Sequence, residues 1–166
     1  MAESKKLAEI QQWILKNHPD VHHIDNQNLK KIMSTDDLDK VDSVVIFDVR
    51  EEAEYEVSHI SNAIQIDPDI DKKSFLDLYS KELESKTVVF YCSVGRRSSV
   101  LAEKVGQDLQ QAGAGDVVNL EHGIFGWHNQ NFPLESNNIN TEYIHPYNRW
   151  WGRIIERKEF IRFEAD

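Results

Sequence analysis

Apolar positions along the chain follow two different periods. Between residues 4 and 17, Leu7, Ile10 and Ile14 recur every three or four residues, which predicts an amphipathic helix ended by His18-Pro19. Residues 21–25 read as a short strand, after which Asp25 or Asn26 caps a helix carrying Leu29, Ile32 and Met33. The pattern then changes. Val44-Val45-Ile46-Phe47 is apolar throughout and mostly β-branched; Thr87-Val88-Val89-Phe90-Tyr91 and Val117-Val118-Asn119-Leu120 are similar, and Ala63-Ile64-Gln65-Ile66 is a weaker fourth run. Uninterrupted runs suit strands covered on both faces, as in parallel sheets. Helical stretches fall between them at 51–56, 74–84 and 98–112, the last followed by Gly113, where a glycine suits the residue after a helix. Strands alternating with helices predict an α/β fold with a mostly parallel central sheet flanked by helices on both faces, and ligands bind beyond the carboxyl ends of such strands.

The ends of the chain read differently. Residues 133–142 are polar and rich in asparagine and look like a linker. In 143–166 aromatic and aliphatic residues alternate with arginine and lysine; Trp150, Ile154 and Ile161 share one helical face, and Tyr147, Trp151 and Ile155 another. The division that follows is an N-terminal helical extension (1–19), a central domain (20–135), and a linker with an aromatic and basic extension (136–166). The last is expected to pack on the domain, with a homodimer or partner surface as the alternative. With 29 acidic and 19 basic residues the net charge is −10, which argues against nucleic acid as a general partner. No apolar run approaches the ~18 residues of a membrane span, so no membrane partner is expected. Residues 1–16 are charged and lack the apolar stretch of a secretory signal, which predicts a cytoplasmic protein. Seven histidines raise the question of a metal, but His22 and His23 point apart in a strand and His122 and His128 lack a third ligand at suitable spacing. No metal site is expected.

Chemistry concentrates after the second apolar run. Cys92, the sole cysteine, begins the segment Cys92-Ser93-Val94-Gly95-Arg96-Arg97-Ser98, and a helix follows. A strand, a tight loop and a helix N-terminus bring backbone N–H groups and the positive end of the helix dipole toward the sulfur. Gly95 permits a left-handed backbone, and Arg96 and Arg97 add positive charge in a stretch, 85–102, that has no carboxylate before its end. All of these favour thiolate over thiol. A lone cysteine is more often an inert core residue, yet a core cysteine has no use for two neighbouring arginines.

This segment resembles the active-site loop of rhodanese-type sulfurtransferases, C-x-x-G-x-R/T-S. Asp48-Val49-Arg50, Glu54-Tyr55, His59-Ile60 and Ala63 resemble the family's upstream signature, with Ser58 where a glycine is usual. Glu121-His122-Gly123-Ile124-Phe125-Gly126-Trp127 resembles the downstream one. The three stand in the family's order and together span about residues 20–134. The resemblance implies a rhodanese-like fold and a sulfurtransferase in which Cys92 carries a persulfide, with no cofactor. Ser93, Val94, Gly95, Arg96, Arg97 and Ser98 would bind substrate. Arg96 or Arg97 orients an anionic donor, unless Arg97 braces the loop; Ser98 donates to sulfur or caps the helix. Asp48, Arg50 and Glu54 are expected to form a supporting polar network, His59 a structural hydrogen bond, and Trp127 to fill core space near the loop; His128 carries no evident role. The partners implied are a small sulfur donor, such as thiosulfate or a persulfide, and an external acceptor: cyanide, a thiol or a protein thiol. Two other readings stand beside this one. A non-catalytic rhodanese-like module would relay sulfur for a partner. Phosphatases and arsenate reductases with a related loop place arginine six positions after the cysteine, where this chain has Ser98.

Overall fold

The computed structural model describes residues 4–166; residues 1–3, part of the predicted N-terminal extension, lie outside the described residues. The apolar runs and one short edge segment form a single sheet: β1 (His22–Ile24), β2 (Val44–Asp48), β3 (Ile64–Gln65), β4 (Thr87–Tyr91) and β5 (Val117–Leu120). Its order is β1-β5-β4-β2-β3 and every pairing is parallel. The reason the runs are continuous is visible in β4. Val89 and Tyr91 join one buried cluster with Ile46, Val118 and Leu120, while Val88 and Phe90 join the other with Phe47 and Val117. Alternate side chains therefore enter opposite cores.

The helices are α1 (Lys5–Asn17), α2 (Asn26–Met33), α3 (Leu38–Asp42), α4 (Glu52–Val57), α5 (Lys72–Tyr79), α6 (Arg96–Gln111) and α7 (Gly123–Asn129). Asp25 caps α2, its carboxylate accepting from the Asn28 amide at 2.7 Å. The helix expected over 74–84 begins two residues earlier, because Asp71 supplies the cap. Glu51 and Glu54 close a capping box on α4. Gly113 follows the end of α6 in a left-handed conformation, as its position suggested. The short helices α3 and α7 were not anticipated. Ser58 is fully extended, with φ −170°, so the glycine usual there is not needed. Among the described residues no helix is long and apolar enough to cross a membrane.

One topological feature positions the site. The connections leaving neighbouring strands β2 and β4 run in opposite directions, to β3 and to β5. The crevice opened between their carboxyl ends is where doubly wound sheets bind ligands. Asp48 ends β2 there, and Cys92 follows β4.

The C-terminal segment departs from expectation in two ways. Residues 133–142 are not a linker but a hairpin, β6 (Leu134–Ser136) with β7 (Ile139–Thr141). The Asn137-Asn138 pair that suggested a linker makes its two-residue turn, with φ of 50° and 61°, a conformation asparagine tolerates. The hairpin is docked by reciprocal bonds of 2.9 Å between the His59 and Glu135 backbones. Beyond it the chain makes two 3₁₀ turns, Trp151–Ile154 and Lys158–Phe160, rather than a helix with shared faces. Pro146 and Gly152 disfavour a continuous helix. Instead Ile144 bridges to Ile161, and Ile144, Ile154 and Ile155 enter the same cluster as Leu7, Ile10 and Ile14 of α1. The segment packs on the domain, as expected.

Its clasp is the end of α7. His128 Nε2–H donates to the Glu142 carbonyl at 2.8 Å, and the His128 carbonyl accepts from Arg157 Nε. The Asn129 amide donates to the Ile154 carbonyl and accepts from the Glu156 N–H. Burial, with the Arg157 charge adding to it, holds His128 down to about 4 against the opposing effect of the Glu142 bond. A histidine depressed in the folded state binds its proton more readily when unfolded. Its contribution to stability is therefore complete above about 6.5 and lost as pH falls toward 4, a loss of about 3 kcal/mol. Urea denaturation across pH 4–7 should show this slope, and a His128→Phe variant should lack that part of it while losing about 1 kcal/mol at pH 7 for the unpaired Glu142 carbonyl.

Candidate active site

Cys92 stands one residue past β4, only 1% exposed, at the floor of a cleft of about 330 Å³. The chain turns sharply because Gly95 takes φ +98°, and α6 starts at the next residue. A Cβ on Gly95 would lie 3.2 Å from both Asn119 Nδ2 and Ile14 Cδ1. Gly123 meets a harder limit. Its absent Cβ would lie 2.5 Å from the carbonyl oxygens of Cys92 and Ser93, because the first amides of α7 are drawn onto that loop. Ile124 N–H donates to the Cys92 carbonyl at 2.9 Å and Phe125 N–H to that of Ser93 at 3.0 Å. The loop backbone is thus held from below by one short helix.

At the sulfur, the Gly95 N–H donates at 3.2 Å and the Ser98 hydroxyl stands 3.4 Å away. The wider convergence of amides expected on Cys92 is absent at this atom. Among the described residues the N–H groups of Val94, Arg96, Arg97 and Ser98 find no acceptor. Those of α6 are first-turn groups, which have no partner within their own helix. Ser98 does not cap the helix, since Gly95 holds that position. Its hydroxyl donates to Asn119 Oδ1 at 2.6 Å, and the Asn119 amide in turn donates to the Gly95 carbonyl at 3.2 Å.

The expected polar network divides in two. Arg50 pairs with Asp48 through two bonds of 2.8 and 2.6 Å, and donates to the Ser58 carbonyl. Tyr91, on the central strand, donates its hydroxyl to Asp48 at 2.6 Å and accepts from the Ile60 N–H. This assembly is wholly buried and ties β2, β4 and the turn before β3. Burial works against the Arg50 charge, but Asp48 more than restores it, and the group is held above its usual range.

Glu54 does not bond to Arg50. It turns to Arg97, which forms a fork of 2.9 and 3.0 Å onto its two oxygens, while Ser93 donates to Oε1 and the Glu51 N–H to Oε2. Burial alone would raise the Glu54 carboxyl; its bonds to Arg97 and the charges of Arg97 and Arg50 outweigh that and hold it below its ordinary value. For Arg97, burial is likewise overcome by the Glu54 bonds and the charge of Cys92, and it is held above its usual range. Arg97 thus braces the loop. Arg96 is exposed, makes no ion pair among the described residues, and lies 4.3 Å from the centre of the Trp13 ring.

His59 Nδ1–H donates to the Tyr55 carbonyl and its ring stacks on Tyr55 at 3.7 Å. Trp127 is buried in the core and donates to the Pro133 carbonyl. Neither lines the cleft. Five residues that do were not singled out as site residues: Val100 on α6, Trp13 and His18 from the N-terminal segment, and Tyr147 and Trp151 from the C-terminal one. Nothing local marks the four from the two terminal segments, which lie 55 to 79 positions from Cys92 in the sequence. Asn119 was also missed. A polar residue inside an otherwise apolar strand end was its signal.

Comparison with known proteins bears on the family and the fold. A family model for the rhodanese-like domain matches residues 25–130. An uncharacterized protein of Synechocystis, slr1261, is 31% identical over 96 residues, or 58% of this chain; the chain spans about half the length of that curated relative. Among solved structures, a thiosulfate sulfurtransferase from Pseudomonas aeruginosa matches 94% of this chain and 27% of its own, with a TM-score of 0.56 and 18% identity. An As-Sb reductase from Leishmania major matches 62% of this chain and 73% of its own, with a TM-score of 0.53 and 20% identity. At such identities the likeness to these structures is one of fold.

Glu54 is depressed by its partners, so its contribution to stability is complete above its unfolded value near 4.5 and is lost as pH falls through the lower folded one. Glu54→Gln should cost about 3 kcal/mol at pH 7, the lower end of the range for breaking a buried pair, because Arg97 keeps some contact with water. Urea midpoints for the two proteins should converge as pH drops below 4.5.

Proposed function

The chain belongs to the rhodanese-like domain family, and on that premise we propose that it is a sulfurtransferase that moves sulfane sulfur through a persulfide on Cys92. One observation carries the reading above the rest. A thiol in an open cleft begins a loop and helix start whose N–H groups at Val94, Arg96, Arg97 and Ser98 have no acceptor. Such unpaired amides at a loop and helix start favour a ligand that carries negative charge.

The Cys92 thiolate attacks the outer sulfur of a donor. The bond from that sulfur to the rest of the donor breaks, and its electron pair leaves with sulfite, if the donor is thiosulfate, or with a thiolate, if it is a persulfide. The new terminal sulfur carries the negative charge, and in this reading the idle amides at Val94, Arg96, Arg97 and Ser98 serve as its anion hole. An acceptor such as cyanide, a thiol or a protein thiol then takes the sulfur and returns the thiolate. No second cysteine is available in this sequence, so the acceptor is external. This is double-displacement chemistry through a covalent intermediate.

Arg97 stands five positions after Cys92 and is turned to Glu54. A tetrahedral oxyanion would need that guanidinium facing inward, so the geometry supports transfer of a single sulfur atom over phosphatase or arsenate chemistry. Protein treated with thiosulfate or an organic persulfide should gain about 32 Da, located on Cys92 by peptide mass spectrometry, and cyanide should remove it as thiocyanate. Cys92→Ser should show neither adduct nor turnover. An adduct that survives this substitution, or none on the wild type with any donor, would end the proposal.

A further inference from the structure

Above the sulfur the cleft is aromatic, and that part of its wall lies outside the residues matched by the family model. Trp13 stands on α1; Tyr147 and Trp151 stand on the C-terminal segment. The placing of Tyr147 is costly. It adopts φ +67°, a left-handed backbone that bulky residues rarely take, and is held there by its N–H donating to His145 Nδ1 at 2.9 Å. Its ring lies 4.9 Å from the Arg97 guanidinium.

The charge of this cleft is small. Arg97 is matched by the Glu54 carboxylate, and His18 is paired with Glu103. Ser93 and Val94, the loop residues beside the thiol, bring no cation. Arg96 is left as the single uncompensated positive side chain lining the cleft among the described residues. A compact, strongly hydrated dianion such as thiosulfate exchanges a full water shell for one such cation, the loop amides and an aromatic wall, which leaves one of its two charges without a cation. A donor with one negative charge at its sulfur end and an apolar body makes a better exchange. The cleft volume of about 330 Å³ is at the small end of ligand pockets, enough for a body of ring size.

Resting on the sulfurtransferase reading above, we propose that the donor is an organic sulfane compound, a thiosulfonate or persulfide with an apolar or aromatic body seated against Trp13, Tyr147 and Trp151 and its anionic end directed to Arg96 and Cys92. For a thiosulfonate, R–SO₂–S⁻, the Cys92 thiolate attacks the terminal sulfur. The S–S bond of the donor breaks, the sulfinate R–SO₂⁻ leaves with the electron pair, and Cys92 holds the persulfide anion. Two negative charges enter and two remain, and no outside oxidant or reductant is needed.

Benzenethiosulfonate and methanethiosulfonate share the reacting group and differ in the body. The ratio of their kcat/KM values, read as thiocyanate formed from cyanide, isolates the contribution of the wall once variant and wild type are compared, since intrinsic reactivity cancels. That ratio should fall about five- to tenfold in Trp13→Ala and again in Trp151→Ala. Trp13 is 42% exposed, so its removal leaves the fold intact. A second readout does not need turnover. Benzenesulfinate should bind the Cys92→Ser protein at least tenfold more tightly than methanesulfinate by calorimetry, and Trp151→Ala should erase the difference. Ratios within twofold of wild type in both variants, or equal binding of the two sulfinates, would overturn the aromatic donor and leave sulfur transfer standing. Selective sulfinate binding without any adduct on Cys92 would support the cleft and remove the reaction.

Discussion

Two parallel bonds from Arg97 to Glu54 set the charge that the cleft presents. A guanidinium in a bidentate pair has committed its fork, and a carboxylate so held has given up most of its lone pairs. Glu54 gives the remainder to Ser93 and to the Glu51 amide. One buried carboxylate thus closes the cysteine loop against α4, and the same act removes a cation from the cleft. If the pair were lost, the loop would loosen and a second positive charge would face the sulfur. Rigidity and selectivity rest on one interaction.

On the other side of the sulfur the limiting quantity is a proton. Ser98 has one hydroxyl hydrogen and two acceptors within reach, Asn119 Oδ1 at 2.6 Å and Cys92 Sγ at 3.4 Å. The shorter bond, to a better acceptor, wins it. Asn119 is itself oriented by the Gly95 carbonyl, so the Gly95 residue is fixed at both ends: its N–H on sulfur, its C=O on Asn119. The resting thiol therefore receives one firm donor, while the other amides of the loop and of the first turn of α6 are left without acceptors. Catalysis follows from interactions that are stronger later in the reaction than at its start. Under the sulfur-transfer proposal, a loop that gives little to the resident sulfur and more to an added one would have that property.

The sheet was legible because strands buried on both faces leave a plain mark, an unbroken apolar run, and the order of three short signatures fixed the cysteine loop at the end of one such run. Asp48, Arg50 and Glu54 were readable as a polar group but not as two groups. The pairing of Glu54 with Arg97 joins residues 43 positions apart, and no local pattern encodes which cation a carboxylate will face. Asparagine misled at 137–138, where its tolerance of positive φ makes a tight hairpin rather than a loose linker. His128 also escaped notice. Its role comes from being buried between α7 and a segment that arrives later in the chain. The aromatic wall was invisible for the same reason, since Trp13 and Trp151 become neighbours of Cys92 only after both ends of the chain fold over the sheet edge.

The helix α7 connects these observations mechanically. Its seven residues are all buried. Its first amides hold the carbonyls of Cys92 and Ser93, and its last two residues hold the segment that supplies Tyr147 and Trp151. The floor of the cleft and its aromatic wall are therefore attached to opposite ends of one rigid element. A helix of this length spans about 10 Å at 1.5 Å per residue, a distance that packing can hold firmly. The absence of a Cβ at Gly123 makes the grip on the loop possible, and the neutral state of His128 makes the grip on the C-terminal segment possible. Protonating His128 would put a charge where burial forbids one, and the first contacts strained would be those that seat the wall. Acid would thus act on the aromatic side of the cleft through His128, and on the cysteine loop through Glu54.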